Sequence, residues 1–227
     1  METYKRDAVQ TEAKDDPNAR ALLGDAFEKT ERWPKEFPGY IADVLLNSNG
    51  KEFKGKVEVV MGKEVQVDLQ VKDDGLLNWL KNQLGMMTVH RAYRTFEESD
   101  GKYVLTLGAE DQHPLGRQVL IHGEGMNSRY RIKDGRILQI TRTMGKMSFT
   151  INIQDSMITT HGKHLTSHYT VYYFSVPEGS LLQVDSFNDR HIPVNGVYLP
   201  KVRQVLSSEK GEVLVRQMEF FNHRLAA

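Results

Sequence analysis

From Val57 onward the chain alternates. Val57 and Val59 are interleaved with Lys56 and Glu58, and Val65, Val67, Leu69 and Val71 are separated by Gln66, Asp68 and Gln70 without a break. A period of two puts apolar side chains on one face of a strand and polar ones on the other, as in a half-buried antiparallel sheet. The pattern returns at Tyr103, Leu105 and Leu107, at Tyr130 and Ile132, and at Met147, Phe149, Ile151 and Ile153. Leu182/Val184, Val197/Leu199, Val213/Val215 and Met218/Phe220 supply the last strands. Tyr169 to Phe174 is apolar or aromatic on both faces, which predicts a central strand covered on each side. Asn49-Gly50, Asp134-Gly135 and Asn195-Gly196 offer the positive φ angles that two-residue hairpins demand.

Helical spacing appears twice. Asp16 before Pro17 is a start signal, and Ala19, Leu22, Leu23, Ala26 and Phe27 follow at helical intervals. That helix is predicted to reach Thr30, ended by Trp33-Pro34 and Phe37-Pro38-Gly39. Leu76, Leu77, Leu80, Leu84 and Met87 mark a second amphipathic helix over 73–89, capped by Asp73 or Asp74. With about ten to twelve strands around them, these helices predict an α+β fold built on a large curved antiparallel sheet, a half-barrel or barrel. Residues 18–227 read as a single domain, and the polar stretch 1–17 as a flexible lead. Gly108, Gly116, Gly123, Gly125 and Gly145 lie in or beside strands, where glycine often marks a bulge that curves a sheet. A curved sheet closed over by helix leaves room for a cavity between them.

Composition narrows the chemistry. The 30 basic and 30 acidic residues cancel, which argues against a nucleic-acid binder, a class that usually carries a basic excess. There is no cysteine, so disulfides, thiolate nucleophiles and Cys-based metal sites are excluded. No apolar run approaches membrane-spanning length and no signal-peptide core is present. A cytoplasmic setting is expected, or a stromal one if a targeting segment was removed.

Few residues are left over for a site. His161, His164 and His168 lie in a polar loop entering a strand, so solvated histidines are expected and no metal. Trp33, Phe37 and Tyr40 sit between the first helix and the first strand, where rings plug a core or stand at the mouth of a cavity. His90-Arg91-Ala92-Tyr93-Arg94 ends the second helix, where cations complement its dipole or clamp a carboxylate or phosphate. Arg129 and Arg131 share one strand face opposite Tyr130 and Ile132. No G-x-S-x-G, phosphate loop, dinucleotide loop or H-E-x-x-H is present, and no cofactor is expected.

Several runs nevertheless resemble one family. Asn18 to Leu23 with Trp33, Phe37 to Asp43, Thr88 to Arg94 with Phe96-Glu97-Glu98, Tyr130 to Gly135, Arg142 to Gly145 with Phe149 to Ile151, and Phe221 to Leu225 together resemble an uncharacterised domain family of cyanobacteria and plastids. The likeness covers nearly the whole chain from residue 18. It implies a photosynthetic source and, by fold analogy, similarity to half-barrel carriers of lipoproteins and lipids; it carries no catalytic residues.

Three functions are expected in this order. The first is a non-enzymatic binding protein with an apolar or lipid-like ligand between sheet and helix, lined by Trp33, Phe37, Tyr40, Leu80 and Met87. The second is an accessory or assembly factor meeting a protein partner. The third is an enzyme with its site around His90, Arg94 and Arg131, which requires those three to converge.

Overall fold

The computed structural model describes residues 13–209 and 211–226. Helix α1 (Pro17–Glu28) starts where Asp16 caps it, its carboxylate accepting from the Asn18 N–H at 2.8 Å. The twelve residues that begin the expected lead lie outside the described ones. Asp15 and Asp16, also within that stretch, are tied to Leu105 through its N–H and C=O, at 2.9 and 2.8 Å.

Three strands follow, β1 (Gly39–Ser48), β2 (Lys51–Val60) and β3 (Gln66–Leu69). β3 is shorter than the alternation from Val65 to Val71 implies. Gly39 opens β1 at φ +118°, where a Cβ would stand 1.9 Å from the Val59 carbonyl oxygen. Helix α2 (Asp74–Arg91) is capped by Asp73, which accepts from the Leu76 N–H at 3.0 Å. A short 3₁₀ turn (Asp100–Lys102) leads to β4 (Val104–Leu107), β5 (Arg117–His122), β6 (Arg129–Lys133) and β7 (Arg136–Met144). The long strands come last: β8 (Met147–Ile158), β9 (His164–Ser175), β10 (Leu181–Val194), β11 (Val197–Glu209) and β12 (Glu212–Leu225). The expected hairpin turns have the required geometry, with positive φ at Asn49-Gly50, Asp134-Gly135 and Asn195-Gly196.

All twelve strands join one antiparallel sheet in the order β3-β2-β1-β12-β11-β10-β9-β8-β7-β6-β5-β4. β3 and β4 are its two free edges, so the curved sheet stays open as a half-barrel. α2 links those edges and packs its buried Leu76, Leu80, Leu84 and Met87 against β1, β2, β11 and β12. There Val44 and Leu46 pair in register with Phe220 and Met218. α1 makes a second core of Leu23, Ala26 and Phe27 with Leu105, Val119, Tyr130 and Ile132. β9 is central, as expected, but Tyr169, Tyr172, Tyr173 and Phe174 are only half-buried rather than covered on both sides. Among the described residues, no helix is long and apolar enough to cross a membrane.

Candidate functional site

The two helices cover the flanks of the concave face, and between them Phe149, Ile151, Tyr169 and Tyr173 are only half-buried, packed against the edge of the α2 core. Register identifies what lies there. On β8, Phe149 pairs with Arg142 of β7 on one side and Tyr173 of β9 on the other, and Tyr173 pairs with Gln183 of β10. One step deeper, Ile151 pairs with Ile140 and Val171. Alternation gives the opposite, convex face of β7 and β8 to polar residues: Gln139 donates to Asn152 at 2.8 Å, and the Thr141 and Thr150 hydroxyls are 3.1 Å apart. A strand pair with this pattern normally buries its apolar face. Here Ile140, Phe149, Ile151, Ile153 and Tyr173 stay half-buried, while Met144 is 53% exposed. At the hairpin-tip end lies an open groove of about 810 Å³ lined by Met147, Tyr173, Leu181, Leu182, Gln183, Val184, Ser208 and Gly211.

The inner wall is polar. Trp79, Gln83, Met86 and His90 recur at helical spacing on α2 and share one face. Gln83 fixes the direction of that face by accepting from Arg203 of β11 at 3.2 Å. Arg203 is buried and grips Asp189 with two bonds of 2.8 and 2.6 Å, while donating to the Tyr169 hydroxyl at 3.1 Å. Such a pair needs its partners, since a buried guanidinium without them is strongly destabilising. Tyr169 in turn stacks on Phe187 at 4.5 Å.

His90 faces the open space. More than a third of its surface reaches solvent, yet the protein surrounds it closely enough that desolvation, then Arg203, Arg94 and Arg142, lower its pKa to about 4. A side chain lining a concavity shows both properties at once: water reaches it, but protein occupies most directions around it. β7 and β11 are four strand spacings apart, about 19 Å along the sheet. Arginines from both lower the pKa of one imidazole. On the far wall Arg142 bonds the Tyr130 hydroxyl and lies 3.6 Å from Asp100. Burial raises the pKa of Asp100 against the opposing pull of Arg142.

The residues expected to line a cavity are elsewhere. Trp33, Phe37, Tyr40, Leu80 and Met87 are all buried in the core beneath α2. The Trp33 and Phe37 rings stand 4.7 Å apart, and the Trp33 indole N–H donates to the Tyr198 carbonyl at 3.1 Å. His90 is exposed at the end of α2 and the Arg94 guanidinium stands 5.9 Å from the Phe27 ring of the α1 core, but Arg131 points from the convex face into an ion pair with Asp111 at 2.7 Å. The three therefore do not converge. His161 reaches the buried Glu31 carboxylate at 3.1 Å, whereas His164 joins Thr30 in an isolated β-bridge. Among the described residues, no three His, Cys, Asp or Glu are grouped to hold a metal ion.

Phe149, Ile151 and Tyr173 were not singled out by sequence because an alternating strand looks the same whether its apolar face is covered or open. One signal was present. A helix is about 10 Å across, roughly two strand spacings, so two helices leave most of a ten-stranded sheet uncovered.

Fold and trough together define an open half-barrel whose concave face is half-buried in its middle and mixes apolar with charged side chains. By sequence the chain belongs to the family described as protein of unknown function DUF3386, whose model matches residues 14–226. Two solved structures are similar to it. A putative outer membrane lipoprotein-sorting protein domain from Vibrio parahaemolyticus has a TM-score of 0.37 at 8% identity, covering 92% of this chain and 93% of that one. A DUF1329 family protein from Desulfovibrio piger has a TM-score of 0.30 at 9% identity, covering 94% of each chain. No curated protein matches the chain.

Proposed function

We propose that this protein binds an apolar or lipid-like ligand in the trough over β7–β10. The carrying observation is the half-buried patch Ile140, Phe149, Ile151 and Tyr173, which spans two adjacent cross-strand rows. These are core-type side chains on the concave side of a folded sheet, with a groove of about 810 Å³ beside them. Apolar surface left in contact with water gains roughly 25 cal/mol per Å² when a ligand covers it, and a concave, mostly apolar site is the usual form of a small-molecule pocket. The filled space beneath α2 directs this reading away from Leu80 and Met87 and toward the sheet's middle strands.

The test is displacement of a neutral environment-sensitive dye from delipidated protein by oleyl alcohol. Saturable, one-to-one displacement is expected, and I151D should weaken it at least about tenfold, because a carboxylate on an apolar floor has no partner. Absence of saturable displacement, or an I151D variant that binds equally well, overturns the reading.

A second reading, an accessory factor acting through a protein surface, draws on the exposed apolar tips. Met144, Leu181, Leu182 and Val213 are 48–64% exposed and cluster where three hairpins end. A protein-partner role predicts that Val213→Asp, at a tip outside the groove lining, abolishes capture of a partner while leaving dye binding intact.

A further inference from the structure

The concave row that crosses the open strands is not uniformly apolar. It reads Arg142, Phe149, Tyr173, Gln183 across β7 to β10, and Arg142 is the one charged residue among the concave positions of β7 and β8 between Ile140 and Ile153. A guanidinium on a surface shaped for hydrocarbon calls for a partner. We propose that the trough takes an anionic amphiphile, its carboxylate or phosphate head held by Arg142 and Arg94 beside His90 and its tail laid across Phe149 and Tyr173 toward Leu181; the proposal rests on the apolar-ligand reading above.

The donors are in place. The Arg142 side chain is 27% exposed through its terminal nitrogens, while its Nε is buried without a hydrogen-bond partner. One of its terminal nitrogens donates to the Tyr130 hydroxyl. Its acid, Asp100, stands 3.6 Å away and also accepts from Tyr130 at 3.2 Å. Charge-assisted bonds between guanidinium and carboxylate usually close to about 2.7–2.9 Å, so Asp100 offsets the charge without occupying the fork. Arg94 arrives from the connection after α2, where its Nη1 donates to the Val89 and Ala92 carbonyls at 2.9 and 3.4 Å. Its Nε and Nη2 donate to no described residue. Arg203, by contrast, is fully engaged by Asp189, Gln83 and Tyr169.

The local balance therefore sets Arg94 and Arg142 against Asp100 and Glu124, both of which act on Arg142. Desolvation and then Arg203, Arg94 and Arg142 push the His90 pKa down. An anion seated there would oppose that push. The tail path follows from register: Arg142 to Tyr173 spans two strand spacings, about 10 Å, and Tyr173 already lines the groove with Met147, Leu181 and Leu182.

The experiment compares oleate with oleyl alcohol, and dodecyl phosphate with inorganic phosphate, in the same dye displacement. Oleate should bind at least about tenfold tighter than the alcohol, the scale of one charge-assisted bond. R94Q and R142Q should each bring the two ligands toward parity, while D100N, which removes the competing acid, should widen the gap. In a histidine NMR titration, oleate should raise the pKa of His90 and oleyl alcohol should not. Because R142Q also disturbs Tyr130, R94Q and D100N keep the test independent of folding. Equal affinity for oleate and its alcohol, or a preference unchanged in both arginine variants, overturns the proposal while leaving the apolar reading intact. Inorganic phosphate matching dodecyl phosphate overturns it in favour of a free-anion site, and failure of every amphiphile overturns both.

Discussion

His191 shows how one buried side chain shapes the molecule's response to acid. Its Nδ1 is buried without a partner on β10, and desolvation, then Arg91 and Arg203, lower its pKa from 6.5 to about 3. In the folded protein the ring stays neutral down to that value, whereas the unfolded chain takes up a proton once the pH falls below 6.5. Stability is thus unaffected by this group above pH 6.5, declines as pH falls from 6.5 toward 3, and loses nothing further below. Urea unfolding at pH 7, 5 and 4 should show that decline, and His191→Gln should flatten it. A slope unchanged by the substitution would assign the acid sensitivity to other groups. Arg203 belongs to the same neighbourhood: it stays charged because Asp189 and Tyr169 outweigh the cost of burying it.

At the scale of elements, the two faces of α2 have different roles. Leu76, Leu80, Leu84 and Met87 seal the core with Trp79 packed beside them under Arg216, whereas Met86 and His90 are exposed. Leu84→Ala should cost about 2–5 kcal/mol, because the buried site cannot collapse around the void. Ile151→Ala should cost about 1 kcal/mol or less, since its face already meets solvent and no closed cavity forms. Denaturant midpoints compare the two directly, and equal losses would mean that the trough floor is ordinary core. Both helices, their aspartate caps and the hairpin turns were legible in the chain because each rests on local chemistry: a carboxylate before a first turn, or a left-handed Asn-Gly pair. The pairing of β1 with β12 was not, since contacts across the length of the chain leave no periodic trace. The site was legible only in part. His90 and Arg94 were recognisable as cations at a helix end, but Arg131 and Arg142, alike in sequence, are sent to opposite faces by the strand's period of two. Trp33 and Tyr40 had the composition of a ligand mouth, and only packing reveals that they close it.

The whole molecule is a twelve-stranded sheet bent until arginines on β7 and β11 influence one histidine, yet open between β3 and β4. Its two helices occupy the flanks, and the strands between them keep apolar side chains toward an accessible hollow. That division explains how a well-packed protein retains an unfilled hydrophobic surface: Leu80, Val44 and Met218 build one core, Leu23 and Leu105 the other, and stability does not require the middle to be covered. The account's central claim is that this middle is where a ligand sits. Methyl-resolved NMR of isoleucine-, leucine- and methionine-labelled protein, titrated with oleate, tests it most directly. Saturable shifts should appear at Ile140, Ile151, Ile153, Met144 and Met147 while Leu80 and Leu84 stay in place. Shifts confined to the α2 core, or no saturable shift at all, would contradict it.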